Sequence, residues 1–247
     1  MEKWKNSVAV VTGGNSGIGF SILKNLAECG IRVVGFDIQF DAIEKLKVEL
    51  KNAKIYSFNC DVTKDDVTEA AFNWVEKNIG PVDILVNCAG LHKNIGTLDQ
   101  QKSMSEIVNH IDVNYTAVIR CTRLVFKSME ARDAYGYVIN INCVYGHYVH
   151  PTTDVQLGIY ASTKFAVKTT SDVMRFELNR MKNRKIRITN LSPGVCNRKP
   201  SKEIDNSSFI NPAIKPEHIG DTVIYLLKTP HDITITDLQI RATGSDL

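Results

Sequence analysis

Short β-branched runs alternate along the chain with longer stretches of helical period. Runs of strand length lie at 7–12 (SVAVVT), 31–37, 54–59, 82–87, 137–142, 186–191 and 232–240. Amphipathic stretches at 17–29, 41–51, 63–78, 103–130, 160–182 and 216–228 separate them. Strand and helix in strict alternation predict a parallel sheet, because each parallel connection needs a crossover and both faces must be covered. The expected class is α/β, a doubly wound parallel sheet of about seven strands with helices on both faces. No linker or internal repeat interrupts the pattern, so residues 1–247 are read as a single domain.

Composition narrows the function classes. The chain has 43% hydrophobic and 23% charged residues, which a folded protein with a sizeable core shows and a disordered one does not. Thirty basic against 27 acidic residues leave +3, mixed along the chain, so no basic stripe marks a nucleic-acid partner. Six cysteines at 29, 60, 88, 121, 143 and 196 form no CxxC pair or zinc spacing; they read as buried thiols of a reducing compartment, with no metal. The apolar run before Gly13 is too short for a signal core, and no run approaches the ~18 residues of a membrane span. A cytoplasmic location is the expectation.

The first run leads into Thr12-Gly13-Gly14-Asn15-Ser16-Gly17-Ile18-Gly19, which opens directly into a helical pattern. Glycines allow a tight turn and close backbone approach, and a helix N-terminus offers unpaired N–H groups and a positive dipole to a pyrophosphate. Gly13, Asn15, Ser16, Gly17, Ile18 and Gly19 are therefore candidate cofactor residues; a plain glycine turn is the competing interpretation. The second run ends at Asp37, twenty residues past Gly17, where a Rossmann-like crossover places a carboxylate on the adenosine ribose. An acid there accepts from both ribose hydroxyls and repels a 2'-phosphate, which favours NAD over NADP; the alternative is a strand-end Asp that opens a turn. Arg32 stands at the other end of that strand, away from the phosphate position.

Tyr160-Ala161-Ser162-Thr163-Lys164 places a phenol and an ammonium one helical turn apart. A tyrosine can exchange a proton with an alcohol near neutrality only if its pKa falls from about 10, and a neighbouring cation does this. Downstream of TGxxxGIG, this pair gives the chain a resemblance to the short-chain dehydrogenase/reductase family. Further motifs at family spacing are Asp61-Val62, Asn87-Cys88-Ala89-Gly90, Asn114 in IDVNYTAVIRCT and Ser192-Pro193-Gly194. The opening MEKWKN, NCVYGHYV and TVIYLLKTP with TDLQIRAT resemble the branch of insect farnesol dehydrogenases and vertebrate broad-specificity ketosteroid reductases.

The resemblance implies a catalytic set of Asn114, Cys143, Tyr160 and Lys164. Tyr160 is the acid/base; Lys164 lowers its pKa and bonds the nicotinamide ribose; Asn114 kinks its helix and holds a water of a proton relay. Asn is a poor mid-helix residue, which agrees with such a role. The resemblance also implies that Asp61 and Val62 meet the adenine, with helix capping by Asp61 as a second role. It has Asn87, Ala89 and Gly90 shape the cofactor's surroundings and steady the central sheet, places Pro193 and Gly194 in the cofactor set, and implies a homodimer or homotetramer built on the helices at 103–130 and 160–182.

Two positions depart from the family pattern. Cys143 stands where a serine normally donates to the substrate oxygen, and a thiol is the weaker donor. Arg198 stands where a threonine usually bonds the nicotinamide carboxamide, with Asn197 as a substitute. The loop after Cys143 is long; His147 and Tyr145 are the nearby side chains with donors, and for His147 pocket lining is the other interpretation. The segment 193–216 is either a lid over substrate or a solvated connection. The expected function is an NAD-dependent oxidoreductase acting on a hydrophobic alcohol or ketone. The alternative is a catalytically impaired NAD-binding protein that holds a small hydrophobic ligand or a partner.

Overall fold

Seven strands run parallel in one sheet of order β3-β2-β1-β4-β5-β6-β7. They are β1 (Val8–Thr12), β2 (Arg32–Asp37), β3 (Ile55–Asn59), β4 (Val82–Asn87), β5 (Gly136–Ile141), β6 (Ile186–Pro193) and β7 (Asp237–Ile240). The computed structural model describes residues 1–149, 157–197 and 212–245. Helices α1 (Gly17–Glu28), α2 (Asp41–Glu49), α3 (Asp65–Asn78), α4 (Met104–Ile111), α5 (Ala117–Ala131), α6 (Gly158–Arg180) and α7 (Pro216–Lys228) lie between the strands.

Side chains alternate across each strand, and the two sets make two cores. Ala9, Val11, Val33, Ile84 and Val86 pack beneath Ile22, Leu23, Leu26, Val223 and Leu226 of α1 and α7. Val8, Val10, Val34, Leu85 and Val138 pack beneath Phe72, Val75, Cys121, Val125 and Leu178 of α3, α5 and α6. Because β1 and β4 are buried on both faces, they read as unbroken apolar runs rather than alternating ones. Truncation of Leu23, fully buried, to alanine costs about 2–5 kcal/mol. β1 pairs with β2 on one side and β4 on the other, so the chain reverses direction across the sheet at β1 and opens a crevice at the strands' carboxyl ends.

Two expected elements change. The helix at 103–130 divides into α4 and α5, joined by a wide π turn over Asp112–Thr116 that contains Asn114. The last strand covers Asp237–Ile240 and not 232–240. Side chains take the carbonyls that a longer ladder would use. Arg187 Nη1 donates to the oxygens of Pro230 (3.0 Å) and Ile233 (3.1 Å), and Thr189 Oγ1 donates to that of Ile235 (2.6 Å). Arg187 is only 2% exposed, and its guanidinium lies 4.0 Å over the Tyr137 ring. Among the described residues no helix is long and apolar enough to cross a membrane.

Candidate active site

The glycine turn between β1 and α1 is built by close backbone approach. A Cβ on Gly13, at φ +67°, would lie 2.8 Å from Ala89 Cα, and one on Gly19 would lie 2.0 Å from the Gly13 oxygen. Gly17 differs: its φ is +50°, and nothing lies within 4 Å of its Cβ position. The start of α1 at Gly17 thus has open space beside it, and Ser16, its cap, makes no side-chain capping bond. Unspent amides and a positive helix end in such a concavity fit a dinucleotide pyrophosphate.

Asp37 joins this turn. Its Oδ2 accepts from the Asn15 backbone amide at 3.1 Å, and its Oδ1 from that of Gln39 at 3.2 Å. The Asn15 side chain serves elsewhere: Oδ1 accepts from the amides of Ala42 (2.9 Å) and Ile43 (3.2 Å) and caps α2. Ile18 packs against the α1 side of the core. Arg32 is held at the far end of β2 by its contacts with the carbonyls of Asn6 and Ile79.

Asp61 does not cap α3, which starts at Asp65 behind Lys64. Its Oδ1 instead accepts from the amide (2.9 Å) and hydroxyl (2.7 Å) of Thr63 in the preceding turn. Burial alone would raise its pKa, but those bonds and the charges of Lys64 and Arg120 outweigh it and leave the carboxyl below its ordinary value. The buried Val62 gives its carbonyl to Arg120 Nη1 at 2.7 Å. Asn87 Nδ2 donates to Asn140 Oδ1 (2.8 Å) and Thr122 Oγ1 (3.1 Å), and Asn140 Nδ2 donates to Ser171 Oγ (2.9 Å). This buried line ties β4, β5, α5 and α6 together. The Ala89 amide donates to Thr12 Oγ1 (3.1 Å), and Gly90 lies against Asn114 Oδ1.

At the reacting end, Cys143 follows β5, while Tyr160 and Lys164 occupy the start of α6. Cys143 and Tyr160, each 8% exposed, share a buried cluster with Val144, flanked by Tyr145, Tyr148 and Leu157. Lys164 Nζ donates to the Ile141 carbonyl at 3.0 Å and stands 5.7 Å from the centre of the Tyr160 ring. Asn114 is held at the π turn by two bonds to Leu91: Oδ1 accepts from its amide (2.7 Å) and Nδ2 donates to its carbonyl (2.9 Å). Nδ2 also reaches Thr163 Oγ1 at 3.3 Å. The chain therefore brings Asn114, Cys143, Tyr160 and Lys164 to one end of the sheet.

His147 does not turn to this cluster for its contacts. Its Nε2 lies 2.8 Å from Ser192 Oγ and 3.5 Å from Asp237 Oδ1, which links the long loop to β6 and β7. The Gly194 amide donates to the Ile240 carbonyl at 2.7 Å directly after Pro193. Asn197 and Ile214 pair across the two ends of the 193–216 segment. Arg198 and the rest of that segment to 211 lie outside the described residues, as do residues 150–156 of the long loop. The six cysteines form no disulfide among the described residues, and burial pushes Cys121 up to about 12.

Two residues were missed by motif reasoning. His92 and His110 both place their rings against Tyr160, from the loop after β4 and from α4. Neither belongs to a motif; the one available signal was His110 one helical turn before Asn114.

The short chain dehydrogenase family profile matches residues 7–207. The chain is 34% identical over 251 residues to a farnesol dehydrogenase of Aedes aegypti, covering 99% of each chain. It is 33% identical to dehydrogenase/reductase SDR family member 11 of Homo sapiens, covering 98% of this chain and 96% of that one. An alcohol dehydrogenase from the archaeon Thermococcus sibiricus, complexed with 5-hydroxy-NADP, matches the fold with a TM-score of 0.82 at 26% identity, over 96% of this chain and 97% of that one. A metagenomic short-chain oxidoreductase in complex with NADP matches with a TM-score of 0.80 at 26% identity, over 97% and 98%. With its glycine turn, its Tyr160–Lys164 pair and similarity along nearly its whole length, the chain belongs to the short-chain dehydrogenase/reductase family of oxidoreductases, in the branch of the farnesol dehydrogenases.

Proposed function

We propose that the chain is an NAD(H)-dependent oxidoreductase that interconverts a hydrophobic alcohol, isoprenoid or steroid-like, and its carbonyl compound. The observation that carries this reading is the Lys164 ammonium, fixed on the Ile141 carbonyl, beside the ring of a Tyr160 buried with Cys143. A bound nicotinamide supplies or accepts the hydride. Tyr160 gives a proton to the substrate oxygen in reduction and takes it back in oxidation. Lys164 favours the phenolate through its charge. Asn114, locked on Leu91, holds open the wide turn that faces this pair. Cys143 would donate to the substrate oxygen, where a thiol delivers less hydrogen-bond stabilisation than a hydroxyl.

The NAD preference rests on Asp37, whose carboxylate is oriented by the Asn15 and Gln39 amides and would meet a 2'-phosphate with like charge. The solved structures above carry NADP cofactors, and the NAD preference in this proposal rests on the Asp37 carboxylate alone. The substrate class is supported by the apolar and aromatic walls of the site and by the farnesol dehydrogenase relative. A homodimer or homotetramer is part of the same reading, supported by exposed Val173 and Phe176 on α6. A cytoplasmic location is also part of it, supported by six free cysteines.

Cys143 favours a second reading, an impaired enzyme that binds NAD and a small hydrophobic ligand or a partner without useful turnover. Calorimetric titration with NADH and with NADPH, followed by turnover on isoprenoid, steroid and simple alcohols and ketones, separates the two. Tight NADH binding with turnover supports the enzyme; tight binding without turnover, unchanged in Cys143→Ser, supports the binder. Preference for NADPH removes the role of Asp37.

A further inference from the structure

Tyr160 is clasped by two imidazoles. The His92 ring lies 4.6 Å from the Tyr160 ring, centre to centre, at 67°, and the His110 ring 6.1 Å away at 78°. Edge-to-face pairs at such separations orient an aromatic ring. Their surroundings differ. His92 is exposed, on the loop after β4. His110 is 0% exposed, and neither of its ring nitrogens has a hydrogen-bond partner among the described residues. Buried polar atoms of this kind are normally met by ordered water, which needs polar partners to remain in an interior.

The position of His110 gives those nitrogens a use. It sits one helical turn before Asn114, where α4 runs into the wide π turn beside the catalytic set. Burial, with the nearby charges of Lys93 and Lys164, keeps its pKa below the ordinary histidine value. The imidazole is then neutral near neutral pH, with one nitrogen donating and the other accepting. Among the described residues, the groups beside Tyr160 include Lys164 on its own helix, Cys143, Tyr145 and Tyr148 after β5, His92 after β4, and His110 on α4; Lys93 and Lys164 act on His110.

We propose that His110 is a positioning residue for Tyr160, whose ring nitrogens hold ordered water beside the phenol and through it stabilise the phenolate. The proposal rests on Tyr160 as the acid/base, and its test is independent of turnover. Tyrosinate absorbance in the near ultraviolet, taken as the difference from Tyr160→Phe, isolates the ionisation of Tyr160. His110→Phe fills the site without hydrogen-bonding atoms, and His110→Gln keeps a donor and an acceptor. Each is compared with wild type in the full chain after NADH titration has verified the fold, with His110→Leu replacing Phe if that variant does not fold.

The expected result is a Tyr160 midpoint raised by about one pH unit in His110→Phe, a tenfold loss of phenolate, with most of the shift reversed in His110→Gln. An unchanged midpoint in His110→Phe overturns the proposal, as does a shift in His110→Gln equal to that in Phe, which would mark a packing role only. Failure of the underlying reading shows separately, as turnover that survives Tyr160→Phe.

Discussion

The carboxylate of Asp37 accepts the backbone amide of Asn15 at 3.1 Å, so the end of β2 and the glycine turn form one hydrogen-bonded unit. Asn15 completes the unit with a side chain that caps α2. In the proposed reading, this holds the ribose and pyrophosphate positions at a fixed separation. Asp37→Ala removes both the ribose acceptor and the repulsion of a 2'-phosphate. Hydrogen bonds to charged groups are worth about 1.5–3 kcal/mol, so NADH should bind about tenfold or more weakly. NADPH should bind more tightly than in wild type. Calorimetry with both nucleotides reads the two changes together, and an unchanged NADH:NADPH ratio would separate Asp37 from cofactor choice.

Cys143 is the adjustable part of the reacting end. Loss of one such donor commonly costs about 10²–10³ in rate, so Cys143→Ser should raise turnover by about ten- to a hundredfold. Cys143→Ala should lower it. NADH oxidation at saturating carbonyl substrate measures both. A serine variant no faster than wild type would mean that the thiol, or a neighbour, already supplies the donor.

The resemblance gives Asn87 a cofactor or sheet-supporting role, and the structure commits its side-chain amide to the interior. Asn87→Ala strips partners from Asn140 Oδ1 and Thr122 Oγ1, with a cost of about 1–3 kcal/mol for each buried group left unmet. Denaturant unfolding should therefore show a lower midpoint with an unchanged slope. An unchanged midpoint would show that the line from Asn87 through Asn140 to Ser171 does not hold the sheet to α6.

Acid should weaken the fold in two stages. Burial, the largest cause in each, keeps His110, His147 and His231 below the ordinary histidine value of 6.5. As pH falls below about 6.5, the unfolded chain takes up these protons first, and stability declines until each lowered folded value is passed. Glu44 and Asp61 are held below their ordinary values of 4.5 and 3.8, so their contribution is lost only at lower pH. Unfolding free energy measured from about pH 7.5 to 5 should decline, and His147→Gln should flatten the decline. A flat wild-type profile over that range would contradict neutral burial of these rings.

The local grammar of the chain was readable because its signals are local. The turn from Gly13 to Gly19 needs backbone conformations and close approaches that only glycine supplies, and those appear as letters. The Tyr160–Lys164 pair is one helical turn, which is a spacing. The break between α4 and α5 at Asn114 was implied by the resemblance, and the cost of Asn inside a helix agrees with it. Hidden features depend on contacts between distant segments. Arg187 gathers carbonyls more than forty positions away and shortens β7 at its start. Asn15 caps a helix that begins beyond β2, and His92 and His110 converge on Tyr160 from two other elements. Periodicity carries no trace of such pairings, since each is decided by how the elements pack.

In the proposed function, Tyr160 carries the proton for hydride chemistry on a hydrophobic alcohol or ketone. The most direct test compares NADH-dependent reduction of a hydrophobic ketone by wild type and Tyr160→Phe, with NADH binding measured in the same samples. Acid–base catalysis is worth about 10²–10⁴ in rate, so the account predicts a loss of that size with NADH affinity intact. Turnover in Tyr160→Phe close to that of wild type would contradict it.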